Sequence, residues 1–155
     1  MDYNSDKVKR AAEVVQSFMT ISKTLTKFTK QNAASLGLTL QQMGILNTIY
    51  SSPEITLKEI TEKLQLSKSS VSINVDDLVH LSLVERKTSE EDRREIHLKL
   101  TSTGQELSRK SCQNALSYRA MILALEKTSE EDIQLLLRIH NELLSNLQNC
   151  SFPGK

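Results

Sequence analysis

Residues 56–101 read TLKEITEKLQLSKSSVSINVDDLVHLSLVERKTSEEDRREIHLKLT, and this stretch decides the fold. Thr56 with Glu59 three residues later forms a capping box, which predicts the start of a helix. The apolar face of this helix recurs at helical spacing, at Leu57, Ile60 and Leu64. The stretch therefore begins with a short amphipathic helix.

A second helix follows after a tight turn. Ser67 predicts its start, because a serine side chain at this place accepts a hydrogen bond from an otherwise unpaired backbone amide. Its buried stripe is predicted at Val71, Val75 and Leu78. Polar residues fall on its outer and leading side: Lys68, Ser69, Ser70, Ser72 and Asn74. Two helices joined in this way form a helix-turn-helix, whose second helix enters the DNA major groove.

A charged hairpin comes directly after the second helix. Its first strand is predicted at residues 83–87, and in its second strand Ile96, Leu98 and Leu100 alternate with polar residues, as in a half-buried strand. Residues 88–94, TSEEDRR, are too polar to bury and form the tip. Such a hairpin is a wing, and an arginine at its tip can enter a narrow minor groove, where the potential is most negative.

The run from Leu64 to Gly104 resembles the multiple antibiotic resistance regulator (MarR) family of winged-helix transcription factors. The resemblance rests on segments that occur in one order: LQLSKSSVS, VDDL, LVER, EDRR and LTSTG. The flanking helices also suit the family, so the resemblance covers nearly the whole chain. It implies a mainly α fold with a small β-wing, in which a winged helix-turn-helix domain lies between N- and C-terminal dimerisation helices.

Helices are predicted on both sides of this stretch. Residues 6–30 carry apolar side chains at three- and four-residue steps, and Thr39 with Gln42 caps a helix that runs to about Ser51. Ile55 and Thr56 are expected to add a short strand to the wing sheet.

The C-terminal part is predicted to contain two further helices. One is capped by Ser102 and Gln105 and runs to about Glu126. Thr128 with Glu131 opens the other, in which leucine or isoleucine recurs at almost every turn.

The expected organisation is a single MarR-like domain over residues 1–155. Residues 38–101 are its DNA-binding region, and residues 6–30 and 102–149 are its dimerisation helices. An amphipathic helix must bury its apolar side, and a small winged-helix domain offers little room, so a homodimer is expected. Such a dimer reads half-sites about 34 Å apart on double-stranded DNA, which makes the operator near-palindromic.

DNA contacts are expected from both the second helix and the wing. The candidate DNA-binding residues are Ser67, Lys68, Ser69, Ser70, Ser72, Asn74, Arg86, Asp92, Arg93 and Arg94. Lys68 is the expected phosphate ligand, and Asn74 can pair with adenine. The resemblance implies that Arg94 enters the minor groove and that Asp92 braces it, since a carboxylate fixes the direction of a guanidinium; Arg93 faces phosphate or solvent. Taken singly, each residue is equally consistent with a solvated surface position.

The second helix of the helix-turn-helix, which is the expected recognition helix, departs from the family pattern. Ile73 and Asp77 stand where arginines are common, and Ser82 stands where a glycine commonly closes the helix. Ile73 either touches a thymine methyl group or packs inward. Fewer cations release fewer counterions, so two interpretations stay open. One is a homodimeric repressor released from its operator by a small ligand, and the other is a helical protein-interaction module of the same fold that has lost operator binding.

Composition narrows the class of protein. The chain has 155 residues, of which 4% are aromatic, and this length and composition are typical of one helical domain. Its net charge of +1 does not by itself indicate a nucleic-acid-binding protein. No apolar run approaches the roughly 20 residues of a membrane span, and the N-terminus lacks the apolar core of a signal peptide. A cytoplasmic protein with no membrane partner is therefore expected.

No catalytic or metal-binding set is apparent, so an enzyme, a metal or a cofactor is not predicted. Cys112 and Cys150 are expected to be free thiols, with a redox switch as the second possibility. Peroxide-sensing relatives carry a reactive cysteine in the first helix, and this chain has none there. The effector stays unidentified, and the residues considered for its pocket are equally consistent with a plain core: Phe18, Met19, Met43 and Met121.

Overall fold

The structure is a computed structural model that describes residues 5–88 and 96–151. The chain divides into two compact units, Met1–Ser117 and Tyr118–Lys155. The first unit contains the long N-terminal helix, the predicted helix-turn-helix, the wing strands and the helix that follows them. The second contains the last helix and most of the helix before it. No helix in the described ranges is both long and apolar enough to cross a membrane.

The elements follow one another in the order expected for a winged helix-turn-helix, and the mainly α fold with a small sheet is confirmed. They are α1 (Asp6–Ser35), α2 (Leu40–Ser51), β1 (Ile55–Thr56), α3 (Leu57–Leu64), α4 (Lys68–His80), β2 (Val84–Thr88), β3 (Ile96–Leu100), α5 (Ser102–Gln113), α6 (Leu116–Leu125) and α7 (Glu130–Gln148).

Capping boxes start α2 and α3, as predicted. At α2, Gln42 N donates to Thr39 Oγ1 at 3.2 Å and Thr39 N donates to Gln42 Oε1 at 2.9 Å. At α3, Glu59 N donates to Thr56 Oγ1 at 3.3 Å and Thr56 N donates to Glu59 Oε2 at 2.8 Å. The bond from the Thr56 backbone amide, followed by that from its hydroxyl, lowers the pKa of the Glu59 carboxyl below its ordinary 4.5.

The sheet is antiparallel, and its strand order is β1-β3-β2. The predicted strand at Ile55 is confirmed, because Ile55 pairs with Leu98. The first wing strand begins at Val84 rather than at the predicted residue 83, since Leu83 N still donates to Leu78 O in the turn that ends α4. Leu98 and Leu100 are buried, whereas Ile96 is exposed.

The core lies in the first unit, between the helix-turn-helix and the sheet. Its fully buried side chains come from α2, α3, α4, β2 and β3: Ile45, Leu46, Ile49, Ile60, Val71, Val75, Leu78, Val84 and Leu98. The predicted stripe of α4 is therefore confirmed, and its burial fixes which side of this helix faces outward.

The first helix is longer than predicted, running from Asp6 to Ser35 rather than from residue 6 to residue 30. The apolar pattern in the sequence stops before the helix does, because a buried polar residue anchors part of the last turns by a hydrogen bond. Asn32 is 3% exposed and donates from Nδ2 to the backbone oxygen of Ser111 at 3.0 Å.

The single helix predicted from Ser102 to about Glu126 is wrong, since α5 ends at Gln113 and α6 begins at Leu116. Its cap is also one residue earlier, because the Thr101 side chain accepts from Gly104 N. Asn114 ends α5 by donating its backbone N–H to the Lys110 oxygen. Asparagine leaves helical geometry readily because its side chain competes with the backbone for hydrogen bonds.

The predicted start of the last helix at Thr128 is wrong by one residue. Ser129 is the cap, and its hydroxyl accepts from Asp132 N at 3.1 Å. Thr128 N donates instead to Leu125 O, at the end of the preceding helix. Both residues suit an N-cap, so the choice depended on where the preceding turn closes.

Candidate nucleic-acid interface

The recognition helix α4 starts at the predicted cap. Ser70 N donates to Ser67 Oγ at 3.1 Å, which satisfies one amide of the first turn. Val71, Val75 and Leu78 are 0% exposed on the inner side. The cap and this stripe together direct the opposite side of the helix to solvent.

The predicted DNA-contacting residues of α4 differ in exposure. Lys68 and Ser69 are exposed in its first turn, whereas Ser70, Ser72 and Asn74 are half-buried along its flanks. A phosphate or base can therefore approach the first two directly.

Ile73 lies on the outer face of α4. Its exposed fraction is 61%, so it points away from the core and does not pack inward. An exposed isoleucine between polar neighbours offers an apolar surface to a partner. Of the two placements considered for it, the outward one is found.

Side chains from the first turn of α2 bind the flank of α4. Ser70 Oγ donates to Gln41 Oε1 at 3.1 Å, and Asn74 Nδ2 donates to the same oxygen at 3.1 Å. Gln42 Nε2 donates to Asp77 Oδ2 at 3.2 Å. The predicted set of DNA-contacting residues included none from α2 and therefore missed Gln41. The adjacent glutamines at 41 and 42, beside the cap of α2, were the available signal.

The wing strand β2 is joined to α4 by an ion pair. Arg86 Nη2 lies 2.6 Å from Asp76 Oδ1, with side-chain exposures of 36% and 46%. A half-exposed pair adds little to stability, but it holds the guanidinium at a fixed position beside the recognition helix. Arg86, predicted to contact DNA, thus has a protein partner here.

The tip of the wing lies outside the described residues. This applies to Asp92, Arg93 and Arg94, so their predicted roles stay predictions. The strands on either side of the tip are described, and their last pair joins Thr88 to Ile96.

Other candidate chemistry is sparse in the described ranges. No group of three or more His, Cys, Asp or Glu there is placed to hold a metal ion. Cys112 and Cys150 are exposed free thiols. Of the residues considered for an effector pocket, Met43 lies in the core, whereas Phe18 and Met19 are exposed on α1.

Comparison with known proteins identifies the family. A family model described as the MarR family matches residues 36–95, which include α2, the helix-turn-helix and the first wing strand. The crystal structure of a multiple antibiotic-resistance repressor (MarR) from Listeria monocytogenes is 34% identical, with a TM-score of 0.66, over 94% of this chain and 100% of that chain. The chain belongs to the MarR family.

Two further proteins are similar to this chain. The organic hydroperoxide resistance transcriptional regulator of Bacillus subtilis is 28% identical over 147 residues, 95% of this chain and 97% of that protein. A mutant of S. aureus MepR bound to an oligodeoxyribonucleotide has the same fold, with a TM-score of 0.58 and 22% identity over 86% of this chain and 97% of that chain. The resemblance inferred from Leu64 to Gly104 is confirmed at the level of the MarR family.

Proposed function

We propose that this MarR-family protein is a homodimeric repressor that binds a near-palindromic operator in double-stranded DNA and is released by a small ligand. The observation that carries this proposal is the outer side of α4, where Ser69 and Ile73 are exposed opposite a fully buried stripe. A serine-capped helix presented in this way can enter a major groove with its first turns toward the bases.

The basic residues near this helix favour DNA over a neutral partner. Lys68 is exposed in the first turn of α4, and Arg86 and Lys87 are exposed on β2. Arg93 and Arg94 follow in the wing sequence. Cations at these positions can release counterions from phosphates, although Asp76, Asp77 and the acidic wing residues offset part of the charge. The oligodeoxyribonucleotide complex of the structurally similar MepR mutant supports DNA as the partner.

A second copy of the chain would cover apolar surface on the helices outside the reading region. On α1, the exposed apolar residues include Val14, Val15, Met19 and Ile21. On α7, they are Leu135, Leu136, Leu137, Ile139, Leu144 and Leu147. An apolar helix face of this extent needs a covering partner. We therefore assign residues 6–30 and 102–149 to dimerisation and residues 38–101 to DNA binding, within one MarR-like domain.

Repression would follow from occupancy of the operator, in keeping with the repressor from Listeria monocytogenes. A ligand would release the protein by binding more tightly to a dimer whose two reading helices no longer match successive major grooves. It can shift this equilibrium only by its difference in affinity for the two states.

The deciding experiment is fluorescence anisotropy with genomic fragments at several salt concentrations. We expect selected fragments to bind with an affinity that falls as salt rises. Arg94→Ala should lose operator affinity and keep its oligomeric state. Arg119→Ala removes the same charge from α6 and serves as the matched control with unchanged binding. A response that is flat with salt, with no fragment preferred, would favour the interaction module instead.

Sedimentation equilibrium tests the dimer independently of DNA. The double variant Leu136→Glu/Leu144→Glu should shift the wild-type dimer toward monomer, because two charges in an apolar interface are costly to bury. Asn141→Glu adds a charge to an exposed polar position of the same helix and should leave the dimer intact. A monomeric wild-type chain would contradict the assignment of these helices.

A further inference from the structure

We infer that Gln41, in the first turn of α2, sets the base preference of α4 by holding Asn74 so that it presents only a hydrogen-bond acceptor. The inference rests on the proposed function, because it concerns the same DNA-binding surface. It assigns a specificity role to a residue outside the helix-turn-helix and the wing.

The hydrogen bonds fix which amide atoms face which way. Asn74 Nδ2 lies 2.8 Å from the backbone oxygen of Ser70. A carbonyl oxygen only accepts, so the atom beside it must be the amide nitrogen. The same nitrogen lies 3.1 Å from Gln41, which must therefore offer its oxygen, Oε1. Ser70 Oγ then donates to that oxygen at 3.1 Å.

This arrangement occupies both hydrogens of the Asn74 amide. One hydrogen is directed to the Ser70 carbonyl and the other to Gln41 Oε1. In the described part of the chain, no donor reaches Asn74 Oδ1. Asparagine reads adenine with one N–H and its carbonyl oxygen together, so Asn74 held in this way cannot make that paired contact. It can only accept.

An acceptor in the major groove selects bases that offer an amino group. Adenine presents N6–H and cytosine presents N4–H, whereas guanine and thymine present oxygen acceptors at the corresponding edge. Asn74 held by Gln41 therefore favours adenine or cytosine. Without Gln41, one Asn74 hydrogen becomes available, and the paired contact with adenine alone becomes accessible.

Gln41 is placed for this role by the cap of α2. Thr39 and Gln42 close the capping box around it, which fixes the first turn from which its side chain extends. Gln41 is exposed, and its Nε2 group has no acceptor among the described residues. Two amide hydrogens thus stay available to a phosphate or base beside the Asn74 acceptor.

The test is selection of binding sites from a randomised duplex library, followed by sequencing, for the wild-type chain and for variants at position 41. We expect the wild type to accept adenine or cytosine at one base pair of each half-site. Gln41→Met, which removes the acceptor at similar size, should prefer adenine over cytosine there by about tenfold. Gln41→Glu keeps an acceptor for Asn74 and should retain the wild-type base preference, with weaker overall affinity.

Two controls define the outcome. Asn74→Ala should lose discrimination at that base pair. Gln31→Met makes the same exchange at an exposed site near the end of α1 and should leave the profile unchanged. If the wild type enriches a preferred site and Gln41→Met gives the same base frequencies at every position of it, this inference is overturned and the proposed function stands. A folded wild-type chain that enriches no sequence would overturn both.

Discussion

Arg86 Nη2 lies 2.6 Å from Asp76 Oδ1, so a guanidinium of the wing strand is bound to a carboxylate of the recognition helix. The pair joins the two elements that are proposed to contact DNA. It also neutralises a cation that would otherwise be available to phosphate. We therefore expect the carboxylate of Asp76 to lower the affinity for DNA while it orients the Arg86 side chain.

Replacing Asp76 by asparagine tests this balance. Both side chains are partly exposed, so Asp76→Asn should change the free energy of unfolding by less than about 1 kcal/mol. Because the variant frees the Arg86 guanidinium, DNA affinity should rise. The slope of log K against log salt should steepen by roughly one phosphate contact. Anisotropy titrations between about 50 and 200 mM salt measure both quantities.

The double variant Asp76→Asn/Arg86→Ala is the control for this prediction. It lacks the released cation, so the steeper slope should disappear. If the single and double variants have the same slope, Arg86 does not reach phosphate and the effect of Asp76 has another origin.

Ser82 closes the recognition helix in a left-handed conformation, with φ at 57°. Such backbone geometry costs a residue with a side chain about 1–2 kcal/mol, and glycine avoids this cost but loses more entropy on folding. Ser82→Gly should therefore stabilise the protein by roughly 0.5–1 kcal/mol in urea unfolding. Ser82→Ala retains the strain and should stay within about 0.5 kcal/mol of the wild type. Equal stability of the two variants would contradict this explanation.

Gly104 is required by close packing rather than by backbone conformation. A Cβ at this position would lie 2.0 Å from the Leu83 carbonyl oxygen, which is backbone and cannot move aside cheaply. Leu83 O already accepts from Thr101 N at 3.1 Å, where the wing meets α5. Gly104→Ala should destabilise the protein by about 1–3 kcal/mol.

Gly44 provides the matched control for this substitution. It lies inside α2, and a Cβ there would meet nothing within 4 Å. Gly44→Ala should stabilise the helix by up to about 1 kcal/mol. Thermal or urea unfolding of both variants should therefore give shifts of opposite sign, and a stabilised Gly104→Ala would show that the wing and α5 can separate without cost.

Local patterns predicted the elements that depend on neighbouring residues. The caps at Thr39, Thr56 and Ser67 and the stripe of α4 follow from spacings of three or four residues, which the chain carries within each helix. The end of α5 at Asn114 and the start of α7 at Ser129 were not predictable in the same way. Apolar residues resume at once after the end of α5, at Ala115 and Leu116. At the start of α7, the capping preferences of the neighbouring Thr128 and Ser129 differ too little to decide.

The candidate site combines predictable and unpredictable parts for the same reason. The outward side of α4 follows from its buried stripe. The contact of Gln41 with Asn74 joins residues 33 positions apart. It depends on how α2 packs against α4, and no periodicity within either helix indicates it. The pairing of Asp76 with Arg86 likewise depends on where β2 lies beside the helix.

Ile73 is an apolar residue on the outer side of α4, and its exposed fraction is 61%. A side chain this exposed contributes little to the core, so Ile73→Ala should change the free energy of unfolding by less than about 0.5 kcal/mol. In the major groove its natural partner is the methyl group of thymine. We expect Ile73→Ala to weaken operator binding several-fold and to leave the phosphate contact predicted for Lys68 unaffected.

The methyl contact can be isolated by changing the DNA instead of the protein. Replacing each operator thymine in turn by uracil removes one methyl group and no hydrogen-bonding group. One such replacement should lower the operator affinity of the wild type to that of Ile73→Ala. The same replacement should not lower the affinity of Ile73→Ala any further, since the contact is already lost from the protein side. If the losses add at every thymine, Ile73 contacts something other than a methyl group. A variant that binds like the wild type would remove Ile73 from the interface altogether.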